Sequence, residues 1–131
     1  MAVEFYQDPV KRLIQPTLFS DQADKLAKGV ADSGKDQRGN LRKNKRSQIR
    51  KFYDEVLRLK ASAENETWEN ILPYVNMLNA KAAYALGRDY ITLDFLAFIK
   101  ESVAQIKEPA DLDVFANLFE AFMGFYRQYG D

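Results

Sequence analysis

The sequence predicts an all-α protein, a single compact bundle of about five helices over residues 1–131 with a short N-terminal arm. Three observations carry this expectation. Apolar residues recur at three- and four-residue spacing through most of the chain, no segment sustains period-two alternation, and Gly, Pro and capping residues separate the helical stretches. With 131 residues, 47% of them hydrophobic, the chain can bury roughly two thirds of its unfolded surface without staples.

Val3 to Ser20 is divided by Pro9 and Pro16 into the apolar pieces Val10-Leu13-Ile14 and Leu18-Phe19, and is expected as a short helix plus an arm, residues 1–20. Ser20 is a candidate N-cap, followed by Asp21, Asp24 and the helical spacing Ala23, Leu26, Ala27, Val30, until Gly34 ends a brief, thinly apolar helix. Residues 33–44 read as a mobile basic loop. A strong helix then begins near Asn44 or Lys45 and runs to about Ser62, with Ile49, Phe52, Tyr53, Val56 and Leu57 on its apolar side.

Thr67 can cap a turn that Pro73 ends or restarts, and Tyr74, Met77, Leu78, Ala82, Ala85 and Leu86 form the next apolar stripe, closed by Gly87. Thr92 caps a helix carrying Leu93, Phe95, Leu96, Phe98, Ile99, Val103 and Ile106, apolar over more than one stripe and so expected to be largely buried. Pro109 breaks the chain and Asp111 can cap the last helix, which carries Leu112, Phe115, Leu118, Phe119, Phe122, Met123 and Tyr126. Six of the nine Phe lie between Phe95 and Phe125, which places the centre of the core in the last two helices.

Cys and His are both absent, which excludes disulfides, thiolate metal sites, Cys nucleophiles and any mechanism that needs an imidazole. No Walker loop, GxGxxG or zinc spacing is present, and no spacing among the acidic residues selects a two-carboxylate site, so the expectation is a non-enzyme without cofactor, metal or small-molecule substrate. The first residues lack the pattern of a signal peptide, and the longest uncharged run, Asn70 to Ala80, has 11 residues against the roughly 20 of a membrane span. A soluble, cytoplasmic protein is expected.

Lys+Arg 19 balance Asp+Glu 19, but the balance is not local. Lys35 to Lys60 carries ten basic and three acidic residues, +7, and the remainder is −7. Arg38 to Lys51 (RGNLRKNKRSQIRK) holds seven basic residues and no acidic one. Such a field attracts polyanions through counterion release. On a helix, Ile49, Phe52, Tyr53 and Val56 face inward while Ser47, Arg50, Lys51, Asp54 and Arg58 face outward, separating core from charge. Lys43, Lys45 and Arg46 add cations beside a helix N-terminus, where they oppose the helix dipole but suit a phosphate. A second basic surface is expected at Lys81 to Arg88 (KAAYALGR), where Lys81, Tyr84 and Arg88 recur at helical spacing; Tyr84 either flanks the cations or packs at the core edge. Tyr6 and Tyr53 are further candidates for stacking on bases, although aromatics at helical spacing more often belong to a core. The apolar face of the basic helix is committed to the core and no tight helix-turn-helix partner precedes it. Backbone recognition of single-stranded or hybrid nucleic acid therefore fits better than duplex reading by Gln48 and Arg50.

The stretch from Asn40-Leu41 to Leu59, above all Ser47-Gln48-Ile49-Arg50-Lys51-Phe52-Tyr53-Asp54-Glu55-Val56, resembles the opening signature of the small subunit of type III-A CRISPR effector complexes, the Csm small-subunit family. Lys81-Ala82-Ala83-Tyr84-Ala85-Leu86-Gly87-Arg88 is similar to a second segment of that family. The resemblance implies a non-catalytic helical bundle for antiviral defence that assembles in several copies into a filament beside the guide-carrying subunits. There it would contact the target RNA of the guide–target duplex through phosphates, with base pairing to the guide RNA supplying specificity. Arg50 and Lys51 would be phosphate ligands, and Lys81 and Arg88 would serve a second basic surface or subunit packing. That family often has small hydroxyl residues where this chain has Asn44-Lys45-Arg46, so Asn44 and Ser47 both stand as candidate N-caps and the site is more cationic. The candidate RNA-binding residues are therefore Lys43, Lys45, Arg46, Ser47, Arg50, Lys51, Lys81 and Arg88. A structural spacer for protein–protein assembly is the main alternative, and a helix-turn-helix DNA regulator a weaker one.

Overall fold

A computed structural model describes residues 3–131. Its element order is β1 (Tyr6–Asp8), β2 (Leu13–Ile14), a π-helical turn (Leu18–Gln22), α1 (Ala23–Ser33), α2 (Arg46–Ser62), α3 (Trp68–Asn76), α4 (Leu78–Gly87), α5 (Leu93–Val103) and α6 (Pro109–Tyr129). Only Met77 separates α3 from α4, and backbone bonds from Met77 to Pro73 and from Lys81 to Met77 continue across it, so the two form one rod and the helical bundle has five.

The longest helix, α6, is the centre against which α1 and α2 pack, while α4 packs on α5. Pro109 at its start has no N–H to leave unsatisfied, and Glu108 and Asp111 form a capping box, so the helix start is written in consecutive residues. Phe98 stacks on Phe122 at 5.0 Å and meets Phe119 edge-on at 5.3 Å, while Phe122 stacks on Tyr126 at 5.3 Å. This aromatic ladder between α5 and α6 is the core centre that the Phe distribution predicts. In α1, Ala23, Ala27 and Ala31 are fully buried. The helix that reads as thinly apolar is in fact a close-packing one, its small side chains seating it against α6.

The structure corrects several expectations. Residues 3–20 hold an antiparallel hairpin, not a short helix: Tyr6 pairs with Ile14 and Asp8 with Leu13. Asp8 Oδ1 accepts the N–H groups of Val10 and Lys11, each at 3.1 Å, which turns the chain at Pro9. Strands of three and two residues are too short to display an alternation. Ser20 does not cap a helix, because the π-helical turn already begins at Leu18 and the Thr17 carbonyl accepts from Ser20 and Gln22. The buried stripe of α3 and α4 is Ile71, Val75, Leu78, Ala82 and Ala85, whereas Tyr74 and Met77 are exposed. Helix α3 starts at Trp68, five residues before Pro73, and Ile71 rather than Tyr74 sets its inward face. Leu57 and Leu93 are also exposed; Leu93, the first residue of α5, lies on the side of the helix away from its buried face.

The hairpin is fastened at Asp111, which is 1% exposed. The Tyr6 hydroxyl and the Arg12 guanidinium both donate to its Oδ1, and the Lys107 and Glu108 N–H groups donate to Oδ2 at 2.9 and 3.1 Å. Burial alone would raise this carboxyl; its four donors hold it below the usual carboxylate range. Burial and the adjoining carboxylate push the Tyr6 phenol up to about 12. Phe5 stacks on Phe115 at 6.2 Å and its N–H donates to Gln105 Oε1 at 2.8 Å.

Candidate nucleic-acid interface

The basic loop and the start of α2 are set by one residue. Asn44 is fully buried and has φ +60°, a left-handed conformation that Asn adopts more readily than most residues. Its amide donates to the Val30 carbonyl at 2.9 Å and to Thr92 Oγ1 at 2.8 Å, and its Oδ1 accepts the Thr92 N–H at 3.0 Å. Its own N–H donates to the Tyr90 carbonyl at 2.9 Å, and its carbonyl accepts the buried Tyr126 hydroxyl at 2.6 Å. Burial raises the Tyr126 phenol strongly, so this hydroxyl stays a donor. Asn44 thus joins α1, the α4–α5 loop, α5 and α6 to the point where α2 begins.

Residues 33–44 are bonded internally as well. Asp36 Oδ1 accepts the N–H groups of Arg38 and Asn40 at 2.9 and 3.0 Å, and Lys35 bridges Leu41. A Cβ on Gly34 would overlap the Lys43 carbonyl, so the loop closes only over a glycine.

Neither Asn44 nor Ser47 caps α2; Lys45 holds the N-cap position without a side-chain bond, and Ser47 is exposed. The first N–H of the helix, on Arg46, donates to Asp131 Oδ1 at 2.7 Å, so the helix N-terminus expected to suit a phosphate carries a carboxylate from the end of the chain. The cationic run is also less uncompensated than its sequence suggests. Arg42 pairs with Asp36 at 2.9 Å, Lys43 with Asp89 at 3.4 Å and Arg50 with Asp54 at 3.8 Å, the partners lying outside the run. All three pairs are largely solvated and contribute little to stability. Among the described residues, Arg38, Lys45, Arg46 and Lys51 have no ion pair.

The division of α2 into faces is as the spacing predicts. Ile49, Phe52, Val56 and Leu59 are buried, Tyr53 is half-buried against Phe119 at 5.4 Å, and Ser47, Arg50, Lys51, Asp54 and Arg58 are exposed. Tyr53 and Tyr6 are therefore committed to packing and hydrogen bonding rather than offered to bases. Arg46 and Arg50, one turn apart, share one edge of the exposed face, and Lys51 lies on the other.

On that second edge the two basic segments meet. Lys81 of α4 reaches Glu55 of α2 at 2.9 Å, and Arg58 holds the same carboxylate at 2.7 Å. The Arg58 hydrogen bond leads in bringing Glu55 down to about 2, against its partial burial, with Lys81 adding to it. Gln48, Lys51, Phe52, Glu55, Lys81, Tyr84, Ala85 and Tyr90 line a groove of about 250 Å³ between the helices. Tyr84 is 64% exposed, so it stands beside the cations rather than at the core edge. The Arg88 guanidinium lies 6.0 Å from the Tyr84 ring centroid and 5.7 Å from that of Tyr90. Tyr74, Met77, Lys81, Tyr84 and Arg88, at alternating three- and four-residue steps, form one exposed ridge.

The structure therefore brings Lys51, Lys81 and Arg88 to one surface, with Lys43 joined to it through Asp89. Lys45 lies instead in a shallow depression with Lys35, Arg42, Tyr129 and Asp131. Tyr90 and Asp131 escape sequence reasoning, since neither shares a periodicity with the residues it meets. Among the described residues no cluster of three or more His, Cys, Asp or Glu could hold a metal, and no helix is long and apolar enough to cross a membrane.

No curated protein and no solved structure matches the chain. The family model described as Csm2 Type III-A matches residues 18–131, which includes both basic segments and leaves out the hairpin. The chain belongs to the Csm2 family, and is a small subunit of the multi-subunit type III-A CRISPR effector complex.

Proposed function

We propose that the chain is a non-catalytic RNA-binding subunit that lines the guide–target channel and contacts target RNA phosphates without reading sequence, in cytoplasmic antiviral defence. Lys43, Lys45, Arg46, Ser47, Arg50, Lys51, Lys81 and Arg88 supply the contacts to the guide RNA–target duplex from both edges of α2 and from α4, and the chain's protein partners are other effector subunits and further copies of itself. The observation that supports this best is the meeting of Lys51 with Lys81 and Tyr84 in one groove, which joins two basic segments thirty residues apart. Exposed cations on a rigid helix suit a regular phosphate backbone, which carries no sequence information.

Exchanging Arg46, Arg50 and Lys51 for Glu in a reconstituted complex tests the proposal. Assembly is expected to remain intact while target binding weakens severalfold or more. Normal binding in an intact complex would overturn it and favour an assembly spacer, the reading that exposed Tyr74 and Met77 support on their own.

A further inference from the structure

The groove between α2 and α4 has features that phosphate contacts do not use. Its floor is apolar, made by Phe52 and Ala85, and Tyr84 and Tyr90 stand over it. Among the described residues neither tyrosine ring packs against another aromatic; each has only the Arg88 guanidinium over it. At about 250 Å³ the groove lies below the ~300–1,000 Å³ of a typical small-molecule site, and suits one flat group better than a whole cofactor. Lys51, Lys81 and Arg88 surround it, and its one carboxylate, Glu55, is already held by Arg58 and Lys81. Aromatic rings set among cations on a solvated face match single-stranded nucleic acid, whose bases stack while its phosphates are neutralised. The charge complementarity favours that occupant over an apolar protein segment.

We propose that this groove is a nucleotide subsite: one unpaired base of the bound RNA stacks on Tyr84 above the Phe52–Ala85 floor, and Lys51 and Arg88 hold the phosphates beside it. The proposal rests on the RNA-binding reading above and adds a base contact to it. Every base has a π face, and the Gln48 amide carries both a donor and an acceptor, so the subsite takes any base.

Target affinity of the reconstituted complex tests the subsite, with wild type, Tyr84→Ala and Tyr84→Phe each measured against target RNAs carrying a single abasic nucleotide at successive positions. Tyr84→Ala is expected to weaken binding about five- to tenfold with an unchanged salt slope, and Tyr84→Phe to bind as wild type. At one or more positions per bound copy, the abasic nucleotide and Tyr84→Ala together should cost no more than either alone. Unchanged affinity for Tyr84→Ala, equal losses at every abasic position, or exclusion of the variant from the complex would each overturn the subsite. Because Tyr84 carries no charge, the outcome is independent of the phosphate contacts: lysine and arginine variants can leave the salt slope unmoved while Tyr84 still couples to a base, or the reverse.

Discussion

Asn44 and Asp111 are both buried and polar, and each ties a non-helical segment to the bundle. Asn44 fixes the basic loop and the start of α2 with a neutral amide, whereas Asp111 fixes the N-terminal hairpin with a charge. The difference has a physical consequence. The amide tie is insensitive to pH and depends on geometry, because its partners are backbone groups and hydroxyls in a tightly packed site. The carboxylate tie lasts only while Asp111 is ionised. The surface proposed to bind RNA is therefore mounted on the pH-independent tie, and the hairpin outside the matched family residues on the pH-dependent one.

The largest effect is expected at the amide. Asn44→Ala leaves the partly buried Thr92 N–H without its acceptor, takes one of two donors from the Val30 carbonyl and strains a positive φ, so it should lower stability by about 3 kcal/mol in urea unfolding. Asn44→Gly should be less damaging by about 1 kcal/mol, because glycine accepts that φ. Equal losses for the two would mean that backbone strain plays no part in the tie.

At the carboxylate, Asp111→Asn is expected to cost about 2 kcal/mol at pH 7, since it removes the charge that Arg12 and Tyr6 meet. The wild-type carboxyl is held below its unfolded value, so its contribution is complete above about pH 4 and is lost as the pH falls through the lower folded value. Urea series from pH 7 downward should therefore show wild type and variant converging in acid, and faster amide exchange in residues 3–17 of the variant at pH 7. A gap that persists unchanged in acid would place the cost in packing rather than in charge.

The smallest effect is expected at the exposed ion pairs. Arg58→Ala removes one of two cations from Glu55, at a side chain that is itself 58% exposed, and should change the melting free energy by less than about 1 kcal/mol. A larger loss would make the Glu55 cluster a structural tie comparable with the two buried ones.

Helices α2, α5 and α6 are legible in the sequence because each has several turns of regular apolar spacing, with Thr92 before α5 and Pro109 and Gly130 at the ends of α6 marking their limits. The division of α2 into a core face and a cationic face follows from the same periodicity. The hairpin is not legible, because two short strands are held by Asp111 and Phe115 about a hundred residues away rather than by their own alternation. The stripe on α3 and α4 is misplaced because Pro73, which looks like a helix start, sits inside a helix that begins at Trp68. Asn44 reads locally as a cap, while its partners at Val30, Thr92 and Tyr126 lie 14, 48 and 82 residues away. The candidate cations are visible as a run, but their neutralisation by Asp36, Asp54 and Asp89, and the meeting of Lys51 with Lys81, exist only once the chain is folded.

The claim that α2 holds RNA by its phosphates is tested most directly by the salt dependence of target-RNA affinity. The measurement compares complexes reconstituted with wild type or with Arg46, Arg50 and Lys51 exchanged for Ala. Each lost phosphate contact should flatten the log–log slope by about 0.7 to 0.9, so a weaker response, flatter by about 2, is expected for the triple variant. Superimposed curves with assembly intact would contradict the account and leave the basic face of α2 as a solvated surface.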